Sequence, residues 1–528
     1  MKKKLLVTLS YLTVLAMLFS ACGKTDKNVT EEVADLGSYP LQTNVELSYW
    51  CELNANVSAT ATDMSQTKFA QKLMEETGVK VKYIHPAMGQ AAEAFSLMIA
   101  SNELPDIIEY SWANAKGGPA GAISDGTIIP LNDSIKDYAP NLTAFLKENP
   151  DIDKSIKTDE GQYYVFPFVR SDKSLLISNG PVIRADWLSD IGMEPPEVIE
   201  EWEEMLTRFK DQKGATAPFT IVKNELRSLF LLFSSTNEFY IDNGKVKYGP
   251  AEPEYRNALE GINRWFNNGL LDKNYVSVDR TIQDANILTG KSGATFGSGG
   301  SGIGKWLDTM KGKDDTFDLV AAKYPGAAKE DTTKLLPFTL PYAPYGCAAI
   351  TTACKNVPVA AKFLDYSYSE EGALLNNFGI EGESFNYVDG EPIYSEFITN
   401  NPDGLTMSQA MAVYFRANYN GPFIQDKRYI EQYYAYPQQK DALNTWLIGF
   451  EESYNSMMPS VTFTMDESSE YSNIFNEIEK YRDTMTASLI SGIEPLSKYD
   501  EFLENLKKLK LDRAIEIRQA AYDRFIKR

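Results

Sequence analysis

Histidine-based chemistry has a single residue to work with in this chain of 528, because His85 is its only histidine. A Ser-His-Asp triad, a Cys-His pair or a histidine zinc site would each need it. It sits in Tyr83-Ile84-His85-Pro86, at the end of an expected strand, where a structural role fits better than catalysis. The four cysteines, Cys22, Cys51, Cys347 and Cys354, contain no C-x-x-C pair. Beyond Cys22 an odd number is left, so one disulfide is possible but unassignable, and buried free thiols are the simpler expectation. The run Gly297-Ser298-Gly299-Gly300-Ser301-Gly302-Ile303-Gly304-Lys305-Trp306 matches G-x-G-x-x-G and, from Gly299, G-x-x-x-x-G-K. Trp306 stands where a nucleotide loop needs Ser or Thr for magnesium, and no βαβ unit with a downstream acid supports the dinucleotide reading. A flexible loop carrying Trp306 into a cleft is expected instead. No cofactor is expected. Metal binding is disfavoured by the lone histidine and by the lack of an EF-hand loop with its glycine in place.

What remains is recognition chemistry at the ends of strands. Val45, Leu47 and Tyr49 alternate with polar residues up to Trp50, which reads as a strand. A helix near Asp63 to Thr77 follows, stopped by Gly78, then a strand Val79 to Ile84, a helix Ala91 to Ser101 and a strand Pro105 to Tyr110. This β-α-β-α-β order implies a parallel sheet. Ligands of open parallel sheets lie beyond the carboxyl ends of the strands. Three loops occupy that edge, carrying Trp50, Glu52 and Asn54, then Gln90, then Trp112.

Hydrophobic content of 43% and charged content of 24% are those of a soluble globular protein, long enough here for two domains. The first residues differ. Lys2, Lys3 and Lys4 precede an apolar run from Leu5 to Phe19, then Ser20, Ala21 and Cys22, which reads as a secretory signal. Small residues before a cysteine resemble a lipobox, so Cys22 is expected to be lipidated. Residues 22–43 would then be the lipidated cysteine and a flexible tether. Removing residues 1–21 takes three lysines and no acid, moving the net charge from −21 to −24. Such a charge repels nucleic acid and anionic headgroups, so no nucleic-acid partner is expected, and the membrane is reached through the lipid alone. It leaves room for an acidic sugar held by local arginines.

Farther along, Gly161-Gln162-Tyr163-Tyr164-Val165-Phe166-Pro167-Phe168 leads to Arg170, and Asp242-Asn243-Gly244-Lys245 reads as a hairpin turn. Trp187 and Trp202 sit at helical spacing with apolar neighbours and read as core. Six tyrosines between Tyr414 and Tyr436 offer the flat face and hydroxyl that sugar rings use, or simply fill a core. From Tyr342 the order is a turn-rich run, a strand Cys347 to Thr351, a helix opened by Asn356 and Pro358, and a second helix start at Ser367 with Glu370. A loop of carboxylates, amide and aromatics, Glu381 to Tyr387, closes the segment.

The runs Cys354-Lys355-Asn356 through Ala360-Ala361-Lys362-Phe363-Leu364-Asp365-Tyr366, Ser369-Glu370-Glu371-Gly372 and Asn377-Phe378-Gly379-Ile380-Glu381-Gly382 resemble the extracellular solute-binding proteins of carbohydrate ABC importers. The likeness is to the lipid-anchored oligosaccharide-binding lipoproteins of Gram-positive bacteria, and it spans nearly the whole chain. It implies a two-lobed, periplasmic-binding-protein-like α/β fold of type II, each lobe a mixed, mainly parallel sheet flanked by helices, with a hinge between. The implied N-terminal lobe takes residues 44–168 and about 347–405, and the C-terminal lobe 169–346 and about 406–528. The implied activity is capture of a saccharide, expected to be an oligosaccharide, and its delivery to a membrane permease by a monomer on the outer face of the membrane. The expected ligand-binding residues are Trp50, Glu52, Asn54, Gln90, Trp112, Arg170, Trp306, Tyr345, Glu383 and Tyr387. A secreted glycoside hydrolase is the competing class; it needs two carboxylates across a sugar bond, and no local signature singles out a pair. A non-transport adhesin would have no ligand-driven closure.

Overall fold

The computed structural model describes residues 36–329 and 331–528. The expected signal segment, Cys22 and the first part of the tether lie outside the described residues. Alternating apolar residues and glycine or proline stops give fourteen strands among those described. The first five are β1 (Glu46–Trp50), β2 (Lys80–Ile84), β3 (Ile107–Tyr110), β4 (Phe166–Arg170) and β5 (Asn179–Arg184). Then come β6 (Phe219–Thr220), β7 (Phe239–Asp242), β8 (Lys245–Tyr248), β9 (Ala294–Ser298) and β10 (Leu319–Ala321). The last four are β11 (Tyr342–Ile350), β12 (Phe385–Val388), β13 (Glu391–Tyr394) and β14 (Ile424–Gln425).

Two sheets organise two lobes. The larger has the order β14-β4-β11-β3-β1-β2. Its β2-β1-β3 part is parallel, as the strand–helix alternation predicts, and β14 runs parallel to β4. β11 runs antiparallel to both β3 and β4. The smaller sheet, β10-β5-β9-β6, is mixed, with only β6 and β9 parallel. The major apolar core lies around it, with Trp202, Phe209, Phe219, Trp265 and Phe296 all closed to solvent. Trp187 and Trp202 are core residues, and β7-β8 is the hairpin that Asn243-Gly244 specifies.

Several local readings move. β11 begins at Tyr342, five residues before the expected Cys347, because tertiary pairing with β4 recruits a stretch whose prolines and glycine look like a turn. The register shift between Ala343 and Ala348 is where Pro344 and Gly346 are accommodated. The second helix of that segment is capped by Ser369, whose hydroxyl accepts from the Gly372 N–H at 3.0 Å, while Tyr366–Tyr368 form a 3₁₀ turn. The far end of the expected free tether is docked: Leu41 is buried and its N–H donates to the Thr77 carbonyl at 2.8 Å. Gly78 allows this. It stops the helix Lys68–Thr77 at φ +70°, and a Cβ there would lie 2.3 Å from the Leu41 carbonyl oxygen.

The glycine run is an ordered turn rather than the flexible loop expected from composition. Gly299–Gly304 winds as a single π-helical turn between β9 and the helix Lys305–Met310. Gly297 and Gly302 leave room for the Trp306 ring, which is buried and donates its indole N–H to Asp284 Oδ1 at 2.7 Å.

Candidate functional site

Every strand that leaves the large sheet toward the second lobe does so at the same edge. β4 ends there at Arg170, β14 pairs beside it at Gln425, and β11 enters there at Tyr342. The carboxyl ends of β1, β2 and β3 share that edge. A cavity of about 570 Å³ opens at the crossing strands. Arg170, Tyr342 and Tyr345 line it from the sheet, and Arg227 and Tyr240 from the second lobe. The extended stretch Met457–Phe463, between two helices, closes a third side. Two further hollows adjoin it, one sharing Tyr240 and the other sharing Arg170.

Local chemistry fixes the sheet side. Arg170 lies over the Phe168 ring at 5.1 Å and the Tyr345 ring at 5.3 Å, and its Nη2 donates to the Tyr345 hydroxyl. Its Nη1 is shut from solvent with no partner. Behind this wall the Tyr342 and Tyr164 hydroxyls meet at 2.9 Å, and the Cys347 thiol donates to the Ala343 carbonyl at 2.9 Å. Burial pushes that thiol up to about 12, so it is a packing residue and not a nucleophile. The three described cysteines are free and buried. His85 is structural too: Nδ1 donates to the Cys51 carbonyl at 2.9 Å and Nε2 accepts the Met64 N–H at 3.1 Å.

The other expected site residues fall in three places. Trp50 and Trp112 are buried on either side of Phe95, at ring distances of 6.3 and 5.5 Å, and the Trp112 indole N–H has no partner. Glu52 and Gln90 are exposed on the loops above them, and the Asn54 side chain accepts from the Asn56 N–H at 2.9 Å to open a short helix. Glu383 pairs with Lys68 at 3.3 Å on the surface, and Tyr387 is exposed on the β12-β13 hairpin. Of the ten, Arg170 and Tyr345 are the two that share the cavity. Sequence reasoning missed Arg227, Tyr240 and the Met457–Phe463 stretch. The stretch carried one legible signal, Pro459 interrupting helical periodicity. Among the described residues no group of three His, Cys, Asp or Glu side chains could hold a metal ion, and no helix is long and apolar enough to cross a membrane.

Comparison with known proteins places this geometry. The chain is 23% identical over 546 residues to the fructooligosaccharide ABC transporter substrate-binding protein FusA of Streptococcus pneumoniae, covering 97% of each. It is 24% identical over 362 residues to lipoprotein LipO of Bacillus subtilis, covering 64% of this chain and 68% of that one. Among solved structures, alginate-binding protein AlgQ2 superposes with a TM-score of 0.73 at 23% identity, over 92% of this chain and 99% of that one. FusA with kestose superposes with a TM-score of 0.72 at 21% identity, over 91% and 99%. These neighbours share the two-lobed fold. Residues 60–374 match the sequence profile of the bacterial extracellular solute-binding proteins, and the chain belongs to that family.

Proposed function

We propose that this protein is the substrate-binding component of a carbohydrate ABC importer, capturing a saccharide between its lobes and presenting it to a membrane permease. The observation that carries this reading is the likeness to FusA along 97% of both chains, whose printed role is fructooligosaccharide binding for such a transporter. The cavity supports it, with a tyrosine-lined wall and few but placed polar groups between two separately cored lobes. The large sheet belongs to one lobe and the small sheet to the other, with crossings at Arg170–Leu176, Thr339–Tyr342 and after Gln425. Binding would close the lobes about these segments. Arg170 and Tyr345 would form the cavity wall, with Glu52, Asn54 and Gln90 at the rim over Trp50 and Trp112. Glu383 and Tyr387 would contribute only after closure, whereas Trp306, buried in the small-sheet core with its indole N–H on Asp284, would shape the lobe and not touch the sugar. Cys22 would carry the lipid that holds a monomer at the outer face of the membrane, and the sugar would leave unchanged.

The test is thermal unfolding of the protein against a panel of mono- and oligosaccharides, followed by analysis of the sugar. A ligand at 100 times its dissociation constant adds about 2.7 kcal/mol to stability. A rise with one sugar class, and intact sugar afterwards, is the expected result. Cleavage would assign a hydrolase, and a flat response across the panel would remove the carbohydrate reading.

A further inference from the structure

The cavity reverses the charge of the protein that contains it. The chain carries 52 basic against 73 acidic residues, yet the cavity is lined by three arginines and one glutamate. The glutamate, Glu238, is exposed. One arginine, Arg518, is engaged: its Nε donates to the Tyr471 hydroxyl at 2.7 Å and its guanidinium lies 4.4 Å over the Phe239 ring. The other two are not. Arg227, in the first turn of the helix Leu226–Leu232, makes no hydrogen bond or ion pair among the described residues, and its Nε is closed to solvent. Arg170 has only the neutral Tyr345 oxygen on one nitrogen and nothing on Nη1.

A guanidinium donor removed from water without an acceptor is costly, and two such groups facing one cavity need an acceptor that the chain does not provide. A hydroxyl satisfies a donor but leaves both charges uncompensated. A carboxylate does both, accepting in the two-pronged geometry that guanidinium presents. The geometry points to an anionic saccharide, a uronate oligomer, whose carboxylate is held by Arg170 and Arg227 while its ring faces lie against Tyr240 and Tyr345. This rests on the carbohydrate reading above and specifies its charge.

The test is titration calorimetry of the protein with trigalacturonate, trimannuronate and triguluronate, each beside its fully methyl-esterified form, with the neutral oligosaccharide panel in parallel. The expected result is at least one acid bound about tenfold or more tighter than its ester, in line with the strength of charged hydrogen bonds. That preference should weaken as salt rises. Arg227→Gln should remove most of it and Arg227→Lys only part, with the unliganded melting temperature unchanged. Equal binding of acid and ester, or binding of neutral sugars alone, overturns the anionic ligand and leaves the carbohydrate reading standing. A preference that survives both Arg227→Gln and Arg170→Gln overturns the assignment to these arginines. Failure of every sugar, acidic and neutral, overturns both.

Discussion

The large sheet and the cavity beside it each bury guanidinium nitrogens, but only beside the sheet is a guanidinium paired with a carboxylate. Within the sheet, Arg416 places Nη1 at 3.0 Å and Nη2 at 2.7 Å from the two oxygens of Glu109, and the Tyr49 hydroxyl donates to the same carboxylate at 2.7 Å. All of this is buried, and it ties the segment ahead of β14 to β1 and β3. A third crossing is thereby anchored to the first lobe. In the cavity, Arg170 and Arg227 have no such carboxylate. The same side-chain type is a structural rivet where the chain supplies the anion and a receptor where it does not. Partnering, more than burial, separates the two.

The comparison breaks most visibly at the rivet. Arg416→Leu leaves Glu109 charged, buried and unpaired, and should cost about 3–5 kcal/mol of stability in urea unfolding. Adding Glu109→Leu should return most of that loss, because an apolar pair of similar volume needs no desolvation of charge. A double variant as unstable as the single one would show that packing, not charge pairing, holds the segment. Arg170→Ala should do the opposite. It removes a side chain that contributes little to the fold, so stability should change by less than about 1 kcal/mol. Ligand affinity should fall by about 1.5–3 kcal/mol, ten- to hundredfold, if that nitrogen contacts a charged group. A stability loss equal to the affinity loss would make Arg170 another structural residue.

These two arginine classes show what a sequence can and cannot reveal. The parallel β1-β2-β3 core was legible because residues such as Leu47, Tyr49, Val81 and Tyr83 alternate inward at period two, and because Gly78 stops the intervening helix. The extension of β11 was not. Pro341, Pro344 and Gly346 are local turn signals, and only pairing with β3 and β4 overrides them. The Gly299–Gly304 turn was misread for a related reason: its glycines serve close packing against Trp306, Tyr433 and Tyr434 and not mobility. Arg227 was invisible in principle. Nothing in Leu226-Arg227-Ser228 says that no carboxylate will pair with it after folding, and that absence is a property of the assembled cavity.

Asp365 is the carboxylate counterpart of the rivet, and it adds a pH axis. It is buried and accepts from the Leu142 N–H at 2.9 Å and the Asn141 side-chain amide at 2.8 Å, where the helix Pro140–Glu148 begins. Burial raises its pKa to about 6, with those hydrogen bonds pulling the other way. A carboxyl whose folded pKa exceeds its unfolded value holds its proton more tightly in the native state. Its contribution to stability is therefore complete below the unfolded value near 3.9 and is lost as pH rises through 6. Between pH 7 and pH 5 the native state should gain on the order of 1 kcal/mol from this group. Asp365→Asn should remove that share of the pH dependence. An unchanged difference between the two pH values would mean that Asp365 stays ionised throughout.

A third arginine environment lies between the two extremes and predicts the smallest effect. Asp159, in the loop before β4, accepts from Arg524 Nε at 2.5 Å and also pairs with Arg528. Arg524 in turn reaches Glu467, which caps the helix Met465–Ser491. The link joins the large-sheet lobe to helices packed on the small-sheet core, so the lobes meet at a paired charge as well as at the unpaired ones. Unlike Arg416, Arg524 has a side chain 30% exposed. Asp159 and Arg528 are only 10% and 8% exposed, so water and counterions reach the link at Arg524, and exposed pairs contribute roughly 0.2–1 kcal/mol. Arg524→Gln should therefore lower stability by no more than about 1 kcal/mol at low salt, and the loss should fade at 1 M salt, where screening acts within ~3 Å. The Arg416→Leu loss should persist at both salt concentrations, because its charges are buried. A large, salt-independent loss at Arg524 would place it with Arg416 and make the lobe contact a rigid joint instead of a surface over which hinge closure can slide.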